Sequence, residues 1–275
     1  MMHKEKIFLR NENNVPTFEK SLSICLEAGG FSFSVIDKKR VLHTIGVVEC
    51  MFSDSLSEII SGVKQIFTSL NVPMSGYASA ELIIPTQKQV WIPKHLFMEG
   101  KEKEYLESVC TIDVGEGCYS HYSEEIEAYS VFAANNSLIS GLKIAIPSVK
   151  VKNQFVKILD FPCLKNNRQG ISLAAFVRDE EIDIAVFDSG KFVFNNTFVY
   201  SEQKDLIYFV LNVAKQLKFE ENKATVYLAG NIMESTFAEF RAFFANVKLE
   251  RVDNLKLEDD KFKAVARHKY ALILV

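Results

Sequence analysis

From position 22 the chain alternates: Leu22, Ile24 and Leu26 against Ser23, Cys25 and Glu27, then Phe31, Phe33 and Val35 against serines. A period of two predicts strands, because successive strand side chains point to opposite faces. Gly29 and Gly30 mark the turn between them, and Asp37-Lys38-Lys39 marks a second turn before a third strand over about 41–48. The period then changes to that of a helix, with Leu56, Ile59, Ile60, Val63, Ile66 and Phe67 on one face. Ser55-Leu56-Ser57-Glu58 fits a capping box at its start, and Asn71 and Pro73 close it. The expected unit is a three-stranded meander followed by a helix.

The same pattern returns 151 positions on, so that 21–69 maps onto 172–220 without a gap. Only eight of the 49 positions are identical, among them Leu22/Leu173, Val35/Val186, Asp37/Asp188, Asp54/Asp205, Lys64/Lys215 and Gln65/Gln216. The shared order of apolar and turn residues therefore carries the duplication. In the second copy Ile182, Ile184 and Val186 lie on the second strand, Ser189-Gly190 makes the next turn, and Ile207, Val210, Leu211, Ala214 and Leu217 form the helix face. A second register pairs AYSVFAAN from Ala128 with ATVYLAGN from Ala224, now 96 positions apart. Each reads as a buried fourth strand leading into a helix and a further strand. The offset has fallen by 55, which predicts an insertion at about 70–125 of the first copy.

Within that insertion ELIIP and QVWIP read as a hairpin ending at Pro85 and Pro93, and a charged helix is expected over about 99–109. Residues 1–20 read as a polar arm with a loop at 11–16, and 161–170 as the connection between copies. The last stretch, LEDDKFKAVARHKYALILV, is compatible with either strand or helix. The expected domains are 1–165, carrying the insertion, and 166–275.

Composition narrows the chemistry. A chain of 275 residues with 48% hydrophobic content has room for two cores. Its 22 phenylalanines are expected to fill them. Lys and Arg total 32 against 35 Asp and Glu, a balance that gives no footprint for nucleic acid, and none is expected as a partner. No run approaches the ~18 apolar residues of a membrane span, so direct membrane insertion is not expected. Cysteines at 25, 50, 110, 118 and 163 form no C-x-x-C pair, which predicts free thiols, a reducing compartment and a cytoplasmic location. The histidines at 3, 43, 95, 121 and 268 never take metal-binding helical spacing, and no metal site is expected. His43 falls on a strand, where a satisfied, partly buried imidazole is expected. Neither a G-x-S-x-G elbow nor a G-x-x-x-x-G-K-[ST] loop is present.

The doubled strand-strand-strand-helix-strand-helix-strand unit resembles the actin-like ATPase superfamily. That superfamily includes actin, the Hsp70 ATPase domain, sugar kinases, and a bacterial cell-division and type IV pilus-assembly branch to which the pattern is nearest. It also resembles an uncharacterised bacterial family assigned the same fold. The resemblance implies an α/β protein of two ribonuclease H-like domains, with mixed five-stranded sheets, flanking helices and an insertion subdomain in the first. In the superfamily the turn between strands one and two of each copy grips phosphates, usually as Asp-x-Gly. Glycine lets backbone N–H groups approach phosphate oxygens, and the aspartate positions magnesium or its water.

The matching turns here are Glu27-Ala28-Gly29-Gly30 and Arg178-Asp179-Glu180-Glu181. The first keeps an acid and two glycines, although a Gly-Gly turn also serves wherever a hairpin needs positive φ. The second has no glycine, and its three consecutive carboxylates would repel a triphosphate unless metal intervened. The superfamily's adenosine loop follows the fourth strand of the second copy; Leu228-Ala229-Gly230-Asn231 keeps one of the usual paired glycines. The resemblance thus points to Glu27, Gly29, Gly30, Asp179, Glu180, Gly230 and Asn231 as cofactor-binding positions and assigns no catalytic residue. Thr111-Ile112-Asp113-Val114-Gly115-Glu116-Gly117 looks like a phosphate turn but lacks the strand-turn-strand setting, and reads as a loop. A ribonuclease H-type nuclease would need a first-strand acid, where Ile24 and Cys25, and Ala175 and Phe176, stand instead.

The expectation is a cytoplasmic protein with degenerate phosphate turns, a non-catalytic interaction or assembly factor that binds an unidentified protein through the insertion. The alternative is an active Mg-ATP-binding ATPase or kinase-like enzyme using the interdomain cleft. There Glu27 would replace the usual aspartate, Gly29 and Gly30 would hold phosphate, Asp179 or Glu180 would bind metal, and Gly230 would lie near the base. A third reading is a structural protein that never meets nucleotide.

Overall fold

The alternating stretches become strands in a computed structural model of the chain, which describes residues 3–11, 16–27, 29–50, 55–166, 169–220 and 223–275. The chain divides into two units, one of residues 1–154 with 254–265 and 274, the other of 155–253 with 266–273 and 275. The first unit runs β1 (His3–Arg10), β2 (Lys20–Glu27), β3 (Gly30–Asp37), β4 (Leu42–Cys50), α1 (Leu56–Ser69), β5 (Ser79–Ile84), β6 (Gln89–Pro93), α2 (Glu102–Glu107), β7 (Glu116–Ser123), β8 (Ala128–Asn135), α3 (Asn136–Ala145) and β9 (Val149–Asn153). After α4 (Gln154–Leu159) and α5 (Pro162–Asn166), the second unit runs β10 (Ile171–Val177), β11 (Glu181–Asp188), β12 (Lys191–Val199), α6 (Gln203–Gln216), β13 (Ala224–Gly230), α7 (Glu234–Phe243) and β14 (Asn246–Leu249). A short helix, α8 (Ala271–Leu274), answers the open question of the apolar C-terminal stretch.

The sheets repeat one topology. In the first, the order is β1-β4-β3-β2-β5-β9; in the second it is β12-β11-β10-β13-β14. β4-β3-β2-β5-β9 and β12-β11-β10-β13-β14 are the same five-stranded path, three antiparallel strands followed by two parallel ones. The parallel strands need crossover helices, which α1 and α3, and α6 and α7, supply. Leu22, Ile24, Phe31 and Phe33 pack with Ile59, Val63, Ile66 and Phe67 of α1 and with Ile139 and Leu142 of α3. Phe31 stacks on Phe67 at 5.9 Å between centroids. Each such buried ring contributes about 1.5–3 kcal/mol over an exposed one. The second core joins Leu173, Ile182, Ile184 and Val186 to Leu206, Val210 and Val213 of α6 and to Phe240 of α7. The fold is the doubled ribonuclease H-like arrangement of actin-like ATPases.

Several sequence expectations change. The N-terminal arm is the strand β1, antiparallel to β4 from His3↔Cys50 to Arg10↔Thr44, so the first sheet has six strands and not five. The fourth strand of the first copy is β5, which pairs parallel with β2 from Ser21↔Ser79 to Cys25↔Ile83. β8, the stretch AYSVFAAN, instead forms a separate three-stranded sheet in the order β6-β8-β7. The expected hairpin of ELIIP and QVWIP is therefore absent: β5 belongs to the large sheet and β6 pairs with β8. The extra segment lies at 85–135, between β5 and α3. Both β5 and β8 are largely buried on both faces, which is why a mostly apolar stretch could not say which sheet it joins.

The capping box at Ser55 does not form; the Ser55 hydroxyl meets that of Ser57 at 3.0 Å. The second helix is held instead by Asp205, whose Oδ2 accepts from the Ser201 and Glu202 amides at 3.0 and 2.9 Å. α6 begins 147 positions after α1, not 151, so Lys64/Lys215 and Gln65/Gln216 are not equivalent positions. All five cysteines are free thiols. No helix among the described residues is long and apolar enough to cross a membrane.

Candidate functional site

Within the first unit β2 and β3 bring Glu27, Gly29 and Gly30 together, since Glu27↔Gly30 closes their ladder. Ala28 lies outside the described residues. The two glycines do different things. Gly30 has φ +148°, and a Cβ there would lie 2.0 Å from the Val48 carbonyl oxygen and 3.0 Å from the Cys50 nitrogen. Its lack of a side chain is what lets β4 pass. A Cβ on Gly29 would meet nothing within 4 Å. The Gly29 carbonyl accepts from the Cys50 amide at 3.0 Å, and Glu27 is exposed.

In the second unit the β10–β11 turn is organised by Arg178, a residue the sequence reading quoted and gave no role. Its guanidinium donates from Nε to Asp183 Oδ2 at 2.8 Å and from Nη2 to Asp183 Oδ1 at 3.1 Å, while Nη1 meets Glu181. Asp183 is fully buried, and Thr197 Oγ1 also donates to it at 2.6 Å. A buried carboxylate needs such a fork, because an unpaired charge is costly away from water. One acid inside the otherwise apolar run IDIAVF was the signal that could have found it. The Arg178 amide donates to the Glu181 carbonyl, and its own carbonyl accepts from the Tyr200 hydroxyl at 2.7 Å. Burial pushes the Tyr200 phenol up, and the Asp179 and Glu180 carboxylates add to that.

The loop after β13 closes on the same turn. Asn231 Nδ2 donates to Asp179 Oδ1 at 2.7 Å, which joins two of the expected cofactor positions. The Asn231 amide donates to the Val177 carbonyl and the Gly230 amide to the His268 carbonyl, both at 2.8 Å. Gly230 has φ +85°, and a Cβ on it would lie 2.0 Å from the Val177 oxygen. Burial lowers the His268 imidazole, helped by the charges of Arg251 and Lys269. Asp179, Gly230 and Asn231 thus come together in one unit, with Glu180 exposed beside them.

This arrangement fits Mg-nucleotide poorly. The amides of residues 178, 230 and 231 are committed to carbonyls of the same unit, and the Arg178 fork to Asp183 and Glu181. Among the described residues no three His, Cys, Asp or Glu side chains are grouped so as to hold a metal ion.

The segment at 85–135 is a small body of its own. Leu106, Val131 and Ala133 form its core, and Phe97 stacks on Tyr129 at 3.7 Å. Lys88 Nζ reaches Asp113 at 2.6 Å and Glu116 at 2.7 Å, so the stretch resembling a phosphate turn is a loop pinned by a lysine. Those carboxylates raise the Lys88 ammonium. Leu96, Met98, Val109 and Val114 remain exposed on this body. His43 is buried, its Nε2 3.1 Å from Asp37 Oδ2. Burial drives Asp37 up, but the Val41 amide, the His43 ring and the Lys39 amide together hold it below the usual carboxylate range.

Comparison with known proteins gives a family and a fold. The sequence pattern of the family described as "Protein of unknown function (DUF3822)" matches residues 11–247. No curated protein matches. A Bacteroides thetaiotaomicron protein with an actin-like ATPase fold and unknown function superposes with a TM-score of 0.69 at 22% identity, over 85% of this chain and 91% of that one. The PilM-PilN type IV pilus biogenesis complex is similar at TM-score 0.59 and 11% identity, over 94% and 97%. The ethanolamine utilization protein EutJ from Carboxydothermus hydrogenoformans is similar at 0.51 and 10%, over 97% and 90%.

Proposed function

The chain belongs to the DUF3822 family of proteins of unknown function, and from that membership and its actin-like ATPase fold we propose that it is a non-catalytic interaction or assembly factor of the cytoplasm. The observation that carries this reading is the closed β10–β11 turn. Arg178 is held by Asp183 and Glu181, Asp179 by Asn231, and the neighbouring amides by carbonyls of the same unit. A phosphate seated on the amides of 178, 230 and 231 or on the Arg178 guanidinium would have to displace these bonds, and a charge-assisted bond to a buried carboxylate is among the hardest to give up. PilM, a neighbour in fold, is known in complex with PilN; the step from that protein to this one is fold analogy alone.

The partner surface we propose is the body at 85–135, where Leu96, Met98, Val109 and Val114 are exposed on a frame with its own small core. Exposed apolar side chains grouped on one small packed frame suit protein recognition. The test is affinity capture with the wild type and with Leu96→Glu/Met98→Glu/Val114→Glu, followed by an ATP-hydrolysis assay of both. A partner retained by the wild type and lost by the variant, with no hydrolysis by either, is expected. Magnesium-dependent hydrolysis removed by Asp179→Asn would overturn the reading in favour of an enzyme.

A further inference from the structure

The body at 85–135 differs in charge from the chain around it. It holds nine Asp and Glu against four Lys, a formal charge of −5, whereas the whole chain carries −3 and the remainder is therefore at +2. Three of the four lysines are engaged within the body, Lys88 by Asp113 and Glu116, Lys101 by Glu104 and Lys103 by Glu107. The fourth, Lys94, lies over the Tyr122 ring at 5.2 Å from its centroid. Glu99, Glu124 and Glu127 are exposed, and among the described residues they meet no cation.

These three acids share one end of the small sheet. β6 ends at Pro93, opposite Ala128 at the start of β8, and the Lys94 amide donates to the Glu127 carbonyl at 2.9 Å. The turn at 124–127 between β7 and β8 therefore lies beside the stretch that leaves β6. That stretch is fixed by a single side chain. The Tyr105 hydroxyl of α2 donates to the Leu96 carbonyl and accepts from the Met98 amide, both at 2.9 Å. Phe97 between them packs against the body's core, its ring 6.0 Å from that of Tyr105. Leu96 and Met98 are left 58% and 62% exposed on either side of it. Side chains held in place before a partner arrives lose little freedom on binding, so this pair is suited to serve as anchors.

We propose that this end of the body receives a basic, amphipathic segment of a partner protein, with its apolar residues on Leu96 and Met98 and its Lys or Arg side chains beside Glu99, Glu124 and Glu127. Charge names the occupant, because complementary potentials steer partners together and like charges turn others away. An acidic segment, a nucleic acid or an anionic membrane surface would meet repulsion here. The inference rests on the body being the partner surface, as proposed above, and adds the chemistry that the partner brings to it.

The test uses the full chain and two labelled synthetic peptides of about 14 residues, enough for about four helical turns. Both carry leucine along one face; the other positions are lysine in one peptide and glutamate in the other. Fluorescence anisotropy is expected to show the Lys/Leu peptide bound at least ~10-fold more tightly than the Glu/Leu peptide, a difference that shrinks as salt rises from about 0.05 to about 0.3 M. Leu96→Ser/Met98→Ser and Glu99→Lys/Glu124→Lys/Glu127→Lys are each expected to weaken the Lys/Leu peptide at least ~10-fold. Their thermal midpoints should stay near that of the wild type, since every one of these positions is exposed. Glu58→Lys/Glu234→Lys/Glu239→Lys makes the same change of net charge at exposed positions elsewhere and is expected to leave binding within ~2-fold. Equal weakening by that control, or no preference between the peptides, overturns the proposal. A partner captured by the wild type and lost by Leu96→Glu/Met98→Glu/Val114→Glu, with no preference between the peptides, would overturn the basic occupant and leave the body as the partner surface. Magnesium-dependent hydrolysis beside peptide binding that follows Leu96, Met98 and the three acids would overturn the non-catalytic reading and leave this one standing.

Discussion

The turn after the first strand occurs twice in this chain, and the two copies are held by different means. In the β2–β3 turn the constraint is main chain: β4 passes so close to Gly30 that a side chain has no space. In the β10–β11 turn the constraint is side chain, with Arg178 bonded to the buried Asp183. One duplicated position has been fixed once by sterics and once by charge. Neither solution calls for a ligand to explain its residues, although Gly29-Gly30 taken by itself looks like a phosphate grip.

That contrast breaks most visibly at the crowded glycines. Gly230→Ala and Gly30→Ala each place a Cβ 2.0 Å from a carbonyl oxygen, at positive φ, and are expected to destabilise their units by at least about 3 kcal/mol in chemical denaturation. A cost below about 1 kcal/mol would mean that the strands can part and the glycines serve something else. Next comes Arg178→Ala, which takes the guanidinium fork away from the buried Asp183 and leaves the Thr197 hydroxyl bond in place. Removing one partner of such a pair costs about 3 kcal/mol. Arg178→Lys should recover only part, because an ammonium cannot reproduce the fork.

The identical pair Asp37 and Asp188 gives a smaller effect with a pH signature. Asp37 accepts from the Lys39 and Val41 amides at 2.8 and 2.9 Å and meets His43, whereas Asp188 accepts from the Ser189 hydroxyl at an exposed turn. A carboxyl held below its ordinary range in the folded state stabilises the protein above its unfolded pKa. That contribution is lost as pH falls through the folded value. Asp37→Asn should therefore cost about 1 kcal/mol at neutral pH, and the difference from wild type should shrink in acid. Asp188→Asn, at an exposed turn, should cost less at neutral pH. Smallest of all, Gly29→Ala has open space and is expected to stay within about 0.5 kcal/mol of wild type. Adjacent glycines differing so widely on substitution would be hard to reconcile with a shared phosphate-binding role.

Much of the architecture was legible because it repeats. Ile182, Ile184 and Val186 alternate as Phe31, Phe33 and Val35 do, and both meanders form where the period of two placed them. What misled was similarity without a partner. AYSVFAAN matches ATVYLAGN, yet Phe132 and Ala134 turn to one core while Val131 and Ala133 turn to another, and pairing decides which sheet owns the strand. β1 was missed because its sequence HKEKIFLR carries too much charge to look like a strand, as suits an edge. At the candidate site, glycine positions were visible but not their cause, since Val48 and Val177 lie far along the chain from Gly30 and Gly230. Arg178 became intelligible only once the hairpin set it beside Asp183.

The most direct test of the central claim, that these turns are complete without nucleotide, is thermal unfolding of the purified chain with ATP and with ADP, each with and without magnesium. A ligand bound to the native state alone at 100 times its dissociation constant adds about 2.7 kcal/mol, a plainly visible rise in midpoint. The account predicts no shift at millimolar nucleotide. A magnesium-dependent rise, abolished by Asp179→Asn, would contradict it.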